Sequence, residues 1–426
     1  MDQANRKRSY HHESIAANID DLLPELQSIY TNIHAHPELS KQETQTAALA
    51  ADRLRAAGFD VTIEIGETGV VGILQNGKGP VVMLRADTDA LPVQEATGLP
   101  YASKATATDQ EGKTVPVMHA CGHDMHTTWL LGAAALFAQE RTAWHGTLIV
   151  VFQPAEEIGS GAQAMIDDGL FTRFPNPDVI LGQRVMAGTA GTLRWRSGLI
   201  TSTSDSLHVR LFGRGAHGSM PQASIDPVVM AAATVMHLQT IASRELAPSE
   251  SAVVTIGSLH AGTTENVIPD EAILTLNMRT FDEGVRKRVL SSIERIIKAE
   301  AAASGSPKTP EITAASTSYS AVINNTEATK RVVDSFRLHF PKDCILETRP
   351  VSASEDFGAF GTESQTPSVY WIVGGTDPDL YAKAKRTGMM DEIPTNHSPR
   401  FAPVIHPTLK TGVEAFVYSA GAWLFA

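Results

Sequence analysis

Residues 146–157 read GTLIVVFQPAEE, and this stretch decides the fold class. From Gly146 to Phe152 the chain is almost wholly apolar, without the in-out alternation of a half-solvated strand, which predicts a β-strand buried on both faces. A strand covered on both sides belongs to a sheet flanked by helices, the α/β class. Pro154 stops the strand, and Glu156 and Glu157 emerge at its tip. Open α/β sheets collect their sites beyond the carboxyl ends of strands. Neighbouring glutamates are ordinarily a solvated pair, yet at a strand tip one can bind a metal ion while the other acts as base.

Upstream, Val61–Ile65, Val70–Leu74 and Val81–Leu84 read as strands, the last running into RADTDALP, residues 85–92. Asp87 and Asp89 there either hold a ligand histidine from behind or cap a turn. MHACGHDMHTT follows at 118–128, ahead of a helix over Trp129–Ala138. Cys121 and His123 suit zinc and similar divalent ions, and Gly122 lets the backbone turn tightly enough for both to converge. His119 and His126 read as core or supporting residues. Nearer the start, Ser14–Ile33 has helical spacing, with Pro24 expected to kink or restart it, and Gln42–Ala57 reads as a helix closed by Gly58. His34 and His36, between those helices, read as structural or solvent-facing.

Downstream come a helix over Gly159–Leu170 and a buried strand over Asp178–Val185, with Arg184 near its end. Residues 202–314 then have their own order: strand, helix, strand, strand, helix, strand, the βαββαβ order of a ferredoxin-like two-layer unit. We therefore expect a domain at 202–314 inserted into an outer domain of residues 1–201 and 315–426. The C-terminal part carries SEDF (354–357) and NHSPRF (396–401), and so brings His397 back to the outer domain. Cys344 reads as a buried strand residue without chemistry, and His406 as a loop residue.

A net charge of −12 argues against a nucleic-acid or anionic-membrane partner, either of which wants a basic face. No run of apolar residues reaches the length of a membrane span, and the basic cluster in MDQANRKRSYHHES is not followed by a signal-peptide core. Two cysteines are too few for a disulfide framework and suggest a reducing compartment, so the expected location is the cytoplasm.

Alone, Cys-x-His or Glu-Glu is a weak signal; together on strand ends, with a late histidine loop, they supply several ligand types suited to one metal site. The segments RADTDALPVQE, MHACGHDMHTT, FQPAEEIGSGAQAMIDDGLF, GRGAHGSMPQ, TTENVIPDEA, NMRTF, SEDF and NHSPRF also carry a resemblance. In that order along nearly the whole chain they resemble the metal-dependent amidohydrolases of the aminoacylase and carboxypeptidase family. The branch is that of hippurate hydrolases, indole-acetyl-amino-acid hydrolases and acetyl-diaminopimelate deacetylases.

The resemblance implies a mixed-sheet α/β catalytic domain with helices on both faces and an inserted ferredoxin-like lid or dimerisation domain. It places Cys121, His123, Glu157 and His397 on metal-ligand positions for one or two divalent ions (Zn, Mn, Co or Ni), and Glu156 on the general base and acid. His217 falls on a residue that polarises the scissile carbonyl, Asn266 and Arg279 on holders of the substrate's carboxylate or carbonyl oxygen, and Asp87 behind the ligands. The implied reaction is hydrolysis of an N-acyl amino acid or related small amide, by a homodimer or higher homo-oligomer. One position departs from the pattern: where relatives read Gly-x-His-Val with a ligand histidine, this chain reads Gly182, Gln183, Arg184, Val185. Arginine has no lone pair to offer. Three readings stand: a one-metal enzyme, a relative that binds such amides without turning them over, or an altered residue. In each, the guanidinium takes the place of a missing cation and pairs with Glu157 or a neighbouring carboxylate.

Overall fold

The computed structural model describes residue 15 and residues 18–425. The basic N-terminal cluster lies outside the described residues. Two compact units divide the chain.

The first unit comprises residues up to Ile200, Ile323–Arg349 and from Asp356 onward. Its sheet has eight strands, in the spatial order Asp60–Ile65, Gly69–Asn76, Gly146–Gln153, Val81–Asp87, Val179–Thr189, Ser368–Thr376, Leu193–Trp195, Ile345–Glu347. Gly146–Gln153, Val81–Asp87, Val179–Thr189 and Ser368–Thr376 run parallel, while Gly69–Asn76 runs antiparallel to both of its neighbours, Gly146–Gln153 and Asp60–Ile65. Apolar residues of Gly146–Gln153 are buried along its length, as its composition demands. After Val81–Asp87 the chain crosses to one neighbour, Gly146–Gln153, and then returns to the other side as Val179–Thr189. That reversal opens a crevice beyond the carboxyl ends of these three strands, the place where such sheets bind ligands.

The helix expected from Trp129 begins earlier, at His123, and runs to Gln139. The tail helix Ile405–Leu424 packs beside it, with Trp129, Phe416, Val413 and Leu409 in one core. A restart at Pro24 does not occur: Ile19–Ala35 is one helix with Pro24 inside it. Leu26, Ile29, Tyr30 and Ile33 bury one face of that helix, enough to hold it through the missing backbone donor. Cys344 is also not a buried strand residue; it is partly exposed in the short turn Lys342–Cys344, just before the strand Ile345–Glu347.

The second unit comprises Thr201–Val322 with Pro350–Glu355. Its four strands lie in the order Ala252–Ala261, Glu271–Thr280, Thr203–Phe212, Glu311–Tyr319, every neighbour antiparallel. With helices Pro227–Thr240 and Glu283–Ala303 packed over the sheet, this is the ferredoxin-like βαββαβ arrangement. Asp226 and Asp282 cap the two helices by accepting backbone N–H bonds. Among the described residues no helix is long and apolar enough to cross a membrane.

Candidate metal centre

The site assembles where the strand ends of the first unit meet the start of helix His123–Gln139. Gly122 caps that helix with φ +84°, a left-handed conformation, and a Cβ there would sit 2.4 Å from Val185 Cγ1. Only glycine fits, and the tight approach turns Cys121 and His123 inward, each 2% exposed or less.

Behind them lies a layer of buried carboxylates. Asp89 accepts from four donors: His123 Nδ1 at 3.2 Å, Ser40 Oγ at 2.6 Å, Glu156 N–H at 3.2 Å and Glu157 N–H at 2.9 Å. Burial alone would raise its carboxyl, but the hydrogen bond and charge of His123, with the bonds from Ser40 and Glu157, hold it below the usual range. Asp87 takes a different partner: His126 Nδ1 lies 2.5 Å from its Oδ1, and Val185 N–H donates to His126 Nε2 at 2.7 Å. That backbone donor leaves the His126 proton on Nδ1, so this imidazole links the strand of Asp87 to the strand of Val185. Arg85, fully buried, donates to Asp87, Gln153 and Asp356 at 2.7–2.9 Å, which gives Asp356 its place in the first unit.

Glu156 and Glu157 follow Ala155, which has φ +51°. The buried Glu43 receives the Ala155 N–H at 2.8 Å and so braces that turn. His397 also stands at a positive φ, +71°, with its N–H on Ala120 O at 2.8 Å. The neighbouring Asn396 amide donates to the carbonyls of Cys121 and Val185 at 3.1 and 3.0 Å, pinning the late loop to both elements. Left-handed conformations at residues that disfavour them are a form of strain that clusters at functional sites.

Two overlapping donor groups result. Cys121, Glu157 and His397 offer ligand atoms within 4.8 Å of one another, and so do His123, Glu156 and Glu157. His397 Nε2 lies 3.3 Å from Glu157 Oε2. His123 Nε2 and Glu157 Oε1 face each other at 3.7 Å, both buried and both without a hydrogen-bond partner among the described residues. Orphaned buried atoms cost about 1–3 kcal/mol each. A divalent cation among thiolate, imidazole and carboxylate removes that penalty, so the residues present fit such an ion.

Arg184 lies in the same cluster, 3% exposed, on a strand paired on both sides. Its Nη2 donates to Cys121 Sγ at 3.0 Å, so the guanidinium reaches a sulfur, a partner the sequence reading had not proposed. Burial would raise the Cys121 thiol, but the charges of Arg184 and His123 outweigh it and hold the thiol well below its ordinary value. Burial, and then the Cys121 charge, push the Glu157 carboxyl well above the usual range.

Other residues singled out in the sequence are elsewhere. His34 is buried between Asp124, at 2.6 Å, and Glu95, at 3.1 Å, in an ionic cluster of its own. His119 is buried, with neither ring nitrogen hydrogen-bonded among the described residues. In the second unit, His217 belongs to a two-stranded ribbon, where it pairs with Val267, and Asn266 immediately precedes the second strand. Ser219 N–H donates to His217 Nδ1 at 3.1 Å, which leaves the neutral ring's proton on Nε2. Arg279 Nη1 donates to Ser352 O at 2.7 Å. The sequence reading had no signal for Glu43, Ser40 or Asn396, because their work is to hold backbone and side chains already in place.

Known proteins resemble this chain over most of its length. Residues 83–394 match the family described as peptidase family M20/M25/M40. The hippurate hydrolase of Campylobacter jejuni is 40% identical over 350 residues, covering 82% of this chain and 88% of that protein. Thermostable carboxypeptidase 1 of Saccharolobus solfataricus is 32% identical over 408 residues, covering 95% and 96%. A Bacillus subtilis structure described as a dinuclear metal binding peptidase from the M20 family matches with a TM-score of 0.73 at 27% identity, over 94% of this chain and 98% of that one.

Proposed function

This chain belongs to peptidase family M20/M25/M40 and is a metal-dependent hydrolase of amide bonds, and from that premise we propose that it cleaves the acyl group from N-acyl amino acids. The observation that carries the reading is the pair of orphaned ligand atoms, His123 Nε2 and Glu157 Oε1, beside a sheltered second carboxylate, Glu156. When bound, a divalent ion supplies Lewis acidity and lowers the pKa of water toward ~7.

The chain's own residues then divide the work. Cys121, His123, Glu157 and His397 hold the metal. Glu156, 3% exposed, is left to take a proton from the attacking water and return it to the departing amine nitrogen, which must be protonated before it can leave. Asp89 fixes both, since one carboxylate holds the His123 ring and the backbone of the glutamate pair. Asp87 supports the site from behind, through His126 and Arg85. His217 is proposed as the donor to the carbonyl oxygen, in keeping with the proton on its Nε2; Asn266 and Arg279 are proposed to hold the substrate's carboxylate or carbonyl oxygen. The metal is proposed to be Zn, Mn, Co or Ni. The first unit is proposed as the catalytic domain and the second as a lid and dimerisation domain of a cytoplasmic homo-oligomer.

A second reading is favoured by one observation, the bond from Arg184 to Cys121. In it the chain binds such amides without turning them over. Metal analysis together with amine release from N-acetyl, N-benzoyl and indole-acetyl amino acids separates the two. Turnover of a panel member supports hydrolysis; a metal-loaded chain inert both as it stands and as Arg184→His supports silent binding.

A further inference from the structure

We infer that Arg184 serves as a built-in cation and that the centre consequently takes one divalent ion, shared among Cys121, His123, Glu157 and His397. The inference rests on the proposed function only for the presence of a metal; the count comes from the residues themselves. Arg184 cannot simply swing away: it is 3% exposed, and its backbone pairs with Ile372 in the middle of a parallel ladder. The guanidinium donates to Cys121 Sγ at 3.0 Å and so occupies one side of the sulfur that a second ion would share. It brings positive charge but no lone pair.

The donors nearest Arg184 are also shared. The two ligand groups share Glu157, and the group of His123, Glu156 and Glu157 includes the carboxylate proposed as proton carrier. A second ion there would take Glu156 away from proton transfer and lie close to a fixed guanidinium.

Titration of the metal-free full-length chain with cobalt(II) tests this, followed by thiolate-to-cobalt absorption and by metal content after dialysis. The expected result is saturation at one equivalent for the native chain and two equivalents for Arg184→His, which exchanges the cation for an imidazole donor. Two equivalents in the native chain, or none, overturn the inference, as does a folded Arg184→His that still saturates at one. If that variant fails to fold, the native stoichiometry decides alone. The amide panel distinguishes the two proposals. One ion with no turnover removes the functional reading and leaves the count standing; two ions with turnover do the reverse.

Discussion

Asp89 Oδ1 lies 3.2 Å from His123 Nδ1, and the same carboxylate receives the N–H groups of Glu156 and Glu157. One buried side chain thus sets the ring of a proposed ligand and the strand tip that carries a second ligand and the proposed base. With Nδ1 committed to Asp89, Nε2 faces the glutamates, the orientation a metal ligand needs.

Asp89→Asn keeps the shape but removes the charge and half of the acceptor capacity. Loss of such a partner typically costs ~10–100-fold in metal affinity. Competition against a chromophoric chelator should show a drop of that size with far-UV circular dichroism unchanged. Native affinity in the variant would show that His123 does not depend on Asp89.

Gly122→Ala tests the turn. The methyl would meet Val185 Cγ1 at 2.4 Å at a residue with φ +84°. Left-handed backbone costs roughly 1–2 kcal/mol and overpacking ~1–3 kcal/mol, so urea denaturation should show a loss of about 2–5 kcal/mol. A loss below ~1 kcal/mol would mean that the turn has room to relax.

The α/β class was legible because Gly146–Phe152 has no polar alternation, and the ferredoxin-like order because residues 202–314 change period from two to 3.6 and back. The tip glutamates, Cys121 and His123 were legible as ligand types. Their supports were not. Asp89 gave no sign that it would bind His123 while Asp87 bound His126, because two carboxylates two residues apart have the same local pattern. Glu43 contacts Ala155 across a gap of over a hundred residues, a contact only the fold creates. Pro24 is the opposite case: of the kink or restart its local propensity offered, the restart is overridden by tertiary burial of Leu26 and Ile29.

His34 gives the alkaline limb of stability its shape. Burial lowers its pKa, but the hydrogen bonds and charges of Asp124 and Glu95 outweigh this and raise it from 6.5 to about 9. The folded value is raised, so the stabilisation is fully present below pH 6.5 and is lost as pH rises through about 9. A shift of that size is worth on the order of 3 kcal/mol. Urea unfolding of native and His34→Gln chains at several pH values across this window should show the native stability falling more steeply. Parallel curves would remove His34 from the account.

His217→Ala should lower kcat by ~10²–10³-fold with KM little changed, the result of losing one donor to a developing oxyanion. A change confined to KM would reassign His217 to ground-state binding.

The central claim is that Glu156 carries the proton and Glu157 holds the metal. Amine release by Glu156→Gln, measured beside metal content on the same preparation and with a panel substrate the native chain cleaves, tests it most directly. The account predicts native metal content with turnover lost by several orders of magnitude. Turnover near the native rate, or a metal-free Glu156→Gln chain, would contradict it.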